Sequence, residues 1–448
     1  MTHNPTPVHK ERGPMNAPMQ RSVRGRALGV VAGTILLSVG LFAQTVAVAA
    51  MRPESSSSAS PAPAVRAGTA LADGTVSAHD NNFWIDNQPV TFRGLNVTPR
   101  TNTNTGVGAS DFTRMGGWGM NFIRLRFHWA DLEPNPPVQN ADGTWTHAYD
   151  TTYMSSVEQA IAWARQNGLY TLIDNHPCGA DDAPALCSYF GWPAWLYKAS
   201  YNSHAKSYAQ TIAGSLGAQT DFWSDTLRKG FMADMLLYVS NALDPVPGVA
   251  GYELLNEPQR GNLDGTHATT QMILDYQLSL GRLIRRQDPN RMLVFTTRAG
   301  FGPGLPLADL SGFTGLGNVA FDLHDYFGGR WGDGLNPSPT TGEDGEALQV
   351  LFDHVVDDHA GPYLGTTLGQ IRFVQGALAS LRTWGIPLLV GEVGDVGDDP
   401  GVYNYFGSAM SAFSYLGVSR TATYQGHLGI TASDGTLLPW ASLVINAA

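Results

Sequence analysis

Residues 251–258 read Gly-Tyr-Glu-Leu-Leu-Asn-Glu-Pro, and this stretch decides how the fold is interpreted. A short, largely apolar run of this kind is typical of a strand that is buried on both faces of a parallel sheet. Pro258 has no backbone N–H to donate, so ladder pairing is predicted to end there. The strand thus brings Asn256 and Glu257 to one end of the sheet. Taken alone, Glu257 also fits a solvated loop glutamate.

A second stretch, residues 387–394, has the same form and reads Pro-Leu-Leu-Val-Gly-Glu-Val-Gly. Here Glu392 ends an apolar run and lies close to glycines on both sides. A structural ion pair is the alternative to a catalytic role for this carboxylate. The two glutamates are 135 residues apart (392 − 257), which corresponds to three strand–helix units of 45 residues.

Outward from these two stretches, short apolar runs alternate with helical patterns such as 154–166, 271–286 and 370–384. This alternation predicts an α/β fold, a (β/α)8 TIM barrel of parallel strands. An open doubly wound sheet would carry a glycine-rich phosphate loop after its first strand, and residues 94–96 have none. The eight predicted strands end near Asn96, Arg124, Asn175, Asn256, Thr297, His324, Glu392 and Tyr424.

The domain is predicted to open with a short β-hairpin. Residues 83–85 and 90–92 have strand composition, and residues 86–89 between them have turn composition.

The N-terminal residues are predicted to direct export. Arg21, Arg24 and Arg26 precede an apolar run at 27–43 and small residues at 46–50, which is the order of a secretory signal. We expect a signal peptide region at 1–50, a Ser/Pro/Ala-rich linker at 51–72 and a catalytic barrel at 73–448. The alternative is an uncleaved anchor that tethers a secreted domain to the membrane.

Composition narrows the classes of function. The chain has 448 residues, of which 43% are hydrophobic and 15% charged, with a formal net charge of −11. An acidic surface repels phosphate backbones, so nucleic acid is not an expected partner. Cys178 and Cys187 either close a short disulfide loop or remain two free thiols. We expect a monomer with no stable membrane span once the signal is removed.

Titratable side chains collect after the predicted strands, and in a barrel these strand ends meet on the face where active sites are built. Two carboxyls facing each other there suit glycoside hydrolysis, which uses one protonated carboxyl and one carboxylate. Arg124 is expected to hold Glu392 ionised, and His176, His324 and Tyr326 are candidate hydrogen-bond donors. A lone histidine is more often structural.

These motifs resemble glycoside hydrolase family 5, the cellulase family of the clan-A barrels. The run 256–258 resembles the family's acid/base motif, and 391–394 resembles its nucleophile motif. The residues Arg124, His176, Asn256, His324 and Tyr326 fall where the family keeps its other active-site residues. The family usually has a tryptophan that contacts the sugar after the eighth strand, where this chain has Tyr424, and Tyr424 is expected to take its place. Residues 191–195 and 251–255 also resemble the endoglycoceramidase branch.

The resemblance implies a retaining β-glycosidase with Glu257 as acid/base and Glu392 as nucleophile, acting without a metal or cofactor. Its expected substrate is a β-linked oligo- or polysaccharide, as for an endo-β-glucanase. An endoglycoceramidase-like enzyme acting on a glycolipid glycan is the alternative, and an inactive carbohydrate-binding relative is a third. A metal-dependent barrel hydrolase would require two close histidines near the first strand, which that stretch lacks. Four tryptophans either stack on sugars or pack in the core: Trp129, Trp192, Trp195 and Trp331.

Overall fold

Eight parallel strands close into a barrel in the computed structural model of the chain. They are β4 (Arg93–Val97), β5 (Phe122–Phe127), β8 (Tyr170–Asn175), β9 (Val249–Glu253), β10 (Met292–Thr296), β11 (Val319–Phe327), β12 (Leu388–Asp395) and β13 (Ser419–Thr423). Each strand pairs with the next barrel strand along the chain, and β13 pairs with β4 to complete the circle. The predicted (β/α)8 barrel is therefore confirmed.

The structure describes residues 74–100, 106–176, 192–196, 222–256, 258, 270–296, 309–327, 367–395, 402–425, 429–432 and 434–447. Several predictions fall outside these residues, namely the signal region 1–50, the linker 51–72, Cys178, Cys187, Glu257 and Trp331. The backbone of Tyr326 is described, but its side chain is not. The described residues belong to one compact unit that starts at Ala62.

In the described part of the chain, helices lie between the barrel strands, and one further helix follows the last strand. They are α1 (Ala109–Gly117), α2 (Trp129–Leu132), α3 (Thr151–Gln166), α4 (Thr226–Leu243), α5 (Thr270–Gln287), α6 (Ser311–Thr314), α7 (Thr367–Arg382), α8 (Val402–Leu416) and α9 (Ala441–Ile445). A short 3-10 helix spans Ala194–Leu196, and a two-stranded ribbon joins β6 (Val138–Gln139) to β7 (Trp145–Thr146).

Helix α3 shows how sequence sets these elements. Its N-cap Asp150 accepts hydrogen bonds from the N–H groups of Thr152 (2.7 Å) and Tyr153 (3.2 Å), which satisfies the first turn. Its apolar side chains recur every three or four residues and are buried against the barrel: Tyr153, Met154, Val157, Ala160, Ile161 and Ala164. Among the described residues, no helix combines the length and the apolar character needed to cross a membrane.

A three-stranded antiparallel sheet precedes the barrel, where a two-stranded hairpin was predicted. It consists of β1 (Val76–His79), β2 (Asn82–Ile85) and β3 (Gln88–Val90). Its two-residue turns, Asp80-Asn81 and Asp86-Asn87, have φ angles between 50° and 63°. Such turns need positive φ at both positions, which Asn and Asp tolerate better than other side chains. The second turn is thus two residues long, not four as predicted.

This small sheet covers the amino-terminal ends of the barrel strands. Phe83 packs in one apolar cluster with Phe92, Phe122 and residues from five other barrel strands. Asn318, just before β11, accepts a hydrogen bond from the N–H of Ala78 (2.7 Å) and donates one to the carbonyl of Val76 (3.1 Å). The opposite, carboxyl-terminal end of the barrel is left for the site.

Candidate active site

Arg124 lies at the centre of a buried polar cluster at the carboxyl ends of the strands. Its side chain is on β5, is fully buried, and points into the barrel because strand side chains alternate. Its guanidinium contacts four carboxylates, at distances of 2.6 Å for Glu253, 2.7 Å for Glu392, 2.9 Å for Asp174 and 3.7 Å for Asp322. One permanent cation therefore orders carboxylates from four different strands.

Glu392 is the carboxylate of this cluster that lies nearest to solvent, although only 4% of the residue is exposed. Nη1 of Arg124 donates to its Oε1 at 2.7 Å. The Nδ1 atom of His176 is 3.7 Å from the same oxygen, and the Nδ1 atom of His324 is 3.6 Å from Oε2. Three nitrogen-bearing side chains thus surround the carboxylate that was predicted to be the nucleophile.

Each of these histidines is oriented by an aspartate two residues earlier on its own strand. Asp174 Oδ2 lies 2.6 Å from Nδ1 of His176, and Asp322 Oδ2 lies 3.0 Å from Nε2 of His324. Residues two apart on a strand share a face, so each Asp–His pair points into the barrel together. The carboxylate fixes which ring nitrogen carries a proton.

The charges around Glu392 set its protonation state. Burial alone would raise its pKa, but His324, Arg124, His176 and Arg126 outweigh burial and hold the pKa well below the usual value. Glu392 is therefore a carboxylate at neutral pH. Burial lowers the pKa of His176 in spite of Asp174, which favours the neutral imidazole.

Glu253 has a different environment. Both of its oxygens accept hydrogen bonds from Arg124, at 2.6 Å and 2.8 Å. Burial, together with Asp174 and Asp322, nevertheless raises its pKa above the usual value. The cluster thus contains more acidic groups than Arg124 can neutralise, and its surroundings favour a proton on Glu253.

Asn256 lies three residues beyond β9, and its Oδ1 accepts a hydrogen bond from Nη2 of Arg124 at 2.7 Å. Its backbone N–H donates to the carbonyl of Asn175 at 3.0 Å. Glu257 follows directly in the chain, outside the described residues. The structure therefore brings together Arg124, His176, Asn256, His324 and Glu392 of the predicted site residues.

Tyr424 is not part of this cluster. Its hydroxyl donates to Oδ1 of Asp111 at 2.8 Å and accepts from Nη2 of Arg114 at 2.6 Å, and both residues are on α1 outside the barrel. Its ring lies near that of Trp118 and only 2% of the residue is exposed. This position links β13 to α1 and gives no support to the predicted sugar contact.

The predicted tryptophans are also mostly interior. Trp129 and Trp192 are 1% and 4% exposed, and their rings are 5.9 Å apart. Trp129 donates to the buried Glu133 at 2.9 Å, and half-buried Trp195 donates to the carbonyl of Glu133 at 2.9 Å. For Trp129 and Trp192 the structure favours packing over sugar stacking.

Four residues that complete the cluster were not predicted from the sequence. Asn96, Asp174, Glu253 and Asp322 each contact Arg124. The signal for the two aspartates was present, because each precedes a predicted histidine by two positions on a strand. Arg126, two residues after Arg124, was also missed, although its charge acts on Glu392 and His176.

Two trios in the cluster have a spacing that a metal ion could use. They are Asp174, His176 and Glu392, and Glu253, Asp322 and His324, with ligand atoms within 4.8 Å of one another. Arg124 already donates to oxygens of Glu253 and Glu392 and lies 2.9 Å from Oδ2 of Asp174. A second cation would have to compete with the guanidinium for these oxygens, so the donor set fits an ion-paired carboxylate site better than a metal centre.

Comparison with known proteins identifies a family whose model covers most of the chain. The model of the family described as cellulase (glycosyl hydrolase family 5) matches residues 84–419. A search of curated protein sequences gives no significant match.

Solved structures share the fold at low identity. Endo-glycoceramidase II from Rhodococcus sp., in complex with a cellobiose-like imidazole, aligns with a TM-score of 0.55 and 18% identity over 83% of this chain and 80% of that chain. An endogalactoceramidase aligns with a TM-score of 0.55 and 17% identity, over 83% of this chain and 84% of that chain. A beta-glucanase from Saccharophagus degradans aligns with a TM-score of 0.51 and 16% identity, over 84% of this chain and 93% of that chain.

Proposed function

Because the chain belongs to glycosyl hydrolase family 5 and is thus a glycoside hydrolase, we propose that it is a secreted, retaining β-glycosidase that cleaves a β-linked glycan by double displacement. The observation that carries the proposal is the state of Glu392. This carboxylate is buried, ionised and held by Arg124 between two histidines, as a glycoside nucleophile requires.

In the first step, Glu392 attacks the anomeric carbon and Glu257 protonates the departing glycosidic oxygen. The bond from the anomeric carbon to that oxygen breaks as the ester bond to Glu392 forms. In the second step, Glu257 takes a proton from water, the water oxygen attacks the anomeric carbon, and Glu392 leaves as a carboxylate. Two inversions give net retention of the β configuration.

Other residues of the cluster assist both steps. Arg124 occupies the Oδ1 atom of Asn256, so the amide nitrogen of Asn256 is the group that remains for a sugar hydroxyl next to the reacting carbon. A contact of this kind strengthens in the transition state of glycosidases. His176 and His324, each oriented by an aspartate, lie on either side of Glu392 and hold it in place at the base of the sugar site.

The substrate we propose is a β-linked glucan cleaved internally. A beta-glucanase is among the solved proteins that share the fold. We propose export because basic residues are followed by an apolar run and then by small residues within 21–50, as in a secretory signal. Endo-glycoceramidase II, which also shares the fold, has been solved as a lactosyl-enzyme intermediate, so glycosylceramides form a second arm of the test.

The experiment combines a substrate panel with identification of the nucleophile. The secreted protein is assayed on β-glucans, mannan, aryl β-glycosides and glycosylceramides, and the first anomer released is read by NMR. A 2-deoxy-2-fluoro-β-glycosyl fluoride is then used to trap the ester, and peptide mapping locates the label. We expect the β anomer first, a label on Glu392, and activity on β-glucan above that on glycosylceramide. Release of the α anomer, or a label elsewhere, contradicts the mechanism.

Azide provides a matched control for the two glutamates. Glu392→Gly with azide should form the α-glycosyl azide, because azide enters from the face that the missing nucleophile occupied. Glu257→Ala with azide should form the β-azide from the glycosyl-enzyme. Glu158→Gln, at an exposed position on α3, should keep wild-type activity. Full activity without azide in Glu392→Gly contradicts its role as nucleophile.

A further inference from the structure

We propose that Asp322 is a positioning residue for the nucleophile, acting through a β-bulge at Gly391 that turns Glu392 into the barrel. The inference rests on the proposed function for its catalytic consequence, but its structural part stands on the strand register alone.

The bulge appears in the pairing of β11 with β12. Leu323 pairs with Val390, and the next residue, His324, pairs with Glu392, so Gly391 is an extra residue on β12. The next pair is Asp325 with Val393. In regular pairing His324 would face Gly391, and Glu392 would instead pair with Asp325.

That one-residue difference decides which way Glu392 points. Side chains of paired parallel strands lie on the same face at each register position. Asp325 belongs to the outer face, since side chains alternate along β11 and Val393 beside it packs in the core under the helices. His324 belongs to the inner face with Asp322. Without the extra residue, Glu392 would point away from the site.

Three side chains hold the bulged peptide. The N–H of Gly391 donates to Oδ1 of Asp322 at 2.6 Å. Its carbonyl accepts from Nδ2 of Asn96 at 2.8 Å and from the hydroxyl of Thr421. Because a bulge takes a peptide out of the regular ladder, its buried polar groups need such partners. Asp322 is the partner that satisfies the N–H.

The glycine at this position is required by space. A Cβ built on Gly391 would overlap both carboxylate oxygens of Asp322. Its φ is not in the left-handed region, so backbone conformation does not explain the glycine. Asp322 and Gly391 are thus fitted to each other: the carboxylate fills the space that any other side chain would occupy.

Asp322 also reaches Glu392 by a second route. Its Oδ2 is 3.0 Å from Nε2 of His324, whose Nδ1 is 3.6 Å from Oε2 of Glu392. One carboxylate therefore holds the peptide next to the nucleophile and orients the imidazole that faces it. Neither contact places Asp322 against the substrate, so its role is positional.

The kinetic test measures the rate of ester formation with the 2-fluoro reagent in Asp322→Ala and Asp322→Asn. We expect Asp322→Ala to slow trapping at least roughly 100-fold, since a displacement of the nucleophile by about 1 Å has an effect of that size. The dissociation constant of the reagent should change less than about threefold, because Asp322 does not contact it. Asp322→Asn keeps an oxygen for the N–H of Gly391 and should recover much of the rate. The acid limb of the pH profile of trapping should also move in Asp322→Asn, because the residue that faces His324 no longer carries a charge. Asp234→Asn, at a half-exposed position, is the control. A wild-type trapping rate in Asp322→Ala overturns the proposal.

The structural test needs no activity and separates this inference from the proposed function. Gly391→Ala is made in the wild type and in Asp322→Ala, and thermal unfolding is measured for all four proteins. We expect Gly391→Ala to lower the Tm by several degrees in the wild type and by much less where the carboxylate is absent. If Gly391→Ala lowers the Tm equally in the wild type and in Asp322→Ala, the proposed fit of Asp322 to Gly391 is wrong. An inactive wild type that shows the expected coupling contradicts the proposed function and leaves the bulge supported.

Discussion

Nη1 of Arg124 lies 2.7 Å from Oε1 of Glu392, and the same nitrogen lies 2.9 Å from Oδ2 of Asp174. One guanidinium nitrogen thus joins the predicted nucleophile to the aspartate that orients His176. The planar donor set of arginine makes this geometry possible, and a lysine ammonium cannot reproduce it.

Arg124→Lys is therefore expected to reduce kcat roughly 100-fold or more while the protein remains folded. Arg124 lowers the pKa of Glu392, so weakening that contact raises the pKa. The nucleophile then ionises only at higher pH, and the acid limb of kcat/KM moves upward. The pH profile of the variant measures this, with Arg286→Lys on the exposed face of α5 as the control. An unchanged acid limb would show that Arg124 does not set the ionisation of Glu392.

Asp325 should make stability depend on pH. Burial raises its pKa from an ordinary 3.8 to about 7, and its Oδ2 has no hydrogen-bond partner in the described part of the chain. The folded state therefore holds a proton that the unfolded chain loses, and stability falls as pH rises from about 4 to about 7.

Asp325→Asn removes this titration. We compare the free energy of unfolding of Asp325→Asn with that of wild type at each pH. The variant should gain stability relative to wild type between pH 4 and pH 8, by at most roughly 4 kcal/mol. Urea unfolding at the two pH values measures the difference. An equal effect of the substitution at both pH values would mean that Asp325 is already ionised in the folded protein.

Tyr424→Phe separates a structural role from a sugar contact. The hydroxyl bridges Asp111 and Arg114, so we expect a loss of about 1–3 kcal/mol in stability and a KM within twofold of wild type. Denaturant unfolding and steady-state kinetics on the same samples give both quantities. A large rise in KM with unchanged stability would restore the sugar contact predicted for Tyr424.

Trp129→Phe applies the same reasoning to a buried tryptophan. The substitution takes the indole N–H away from the buried carboxylate of Glu133, so it should destabilise the protein by about 1–3 kcal/mol. Glycan affinity, measured by calorimetry with an inactive Glu392→Gln protein, should not change. Weakened affinity with normal stability would mean that the ring contacts sugar.

The ends of the eight barrel strands could be predicted because each apolar run stops at a polar residue, as β9 does before Asn256. The first strand, β1, was missed because its turn, Asp80-Asn81, lacks the glycine that usually marks a hairpin. The surroundings of Tyr424 could not be predicted, because inner and outer faces alternate along a strand and nothing in the local sequence shows which face the last residue before a loop takes.

The bulge at Gly391 could not be predicted from the local sequence. An extra residue is defined only relative to the partner strand, and nothing in residues 387–394 reveals how β11 is aligned with them. For the same reason the carboxylates around Arg124 were only partly assigned. Their contacts join strands separated by up to 268 residues in the chain.

The small sheet that covers the amino-terminal ends of the barrel strands also determines how the enzyme can be attached to a support. The chain enters β1 at that end, whereas Arg124 and Glu392 lie towards the carboxyl ends of β5 and β12. A bead, surface or fusion partner joined directly before β1 would therefore lie at the amino-terminal ends of the barrel strands. The carboxyl ends of the strands, with Arg124 and Glu392, would face away from the support.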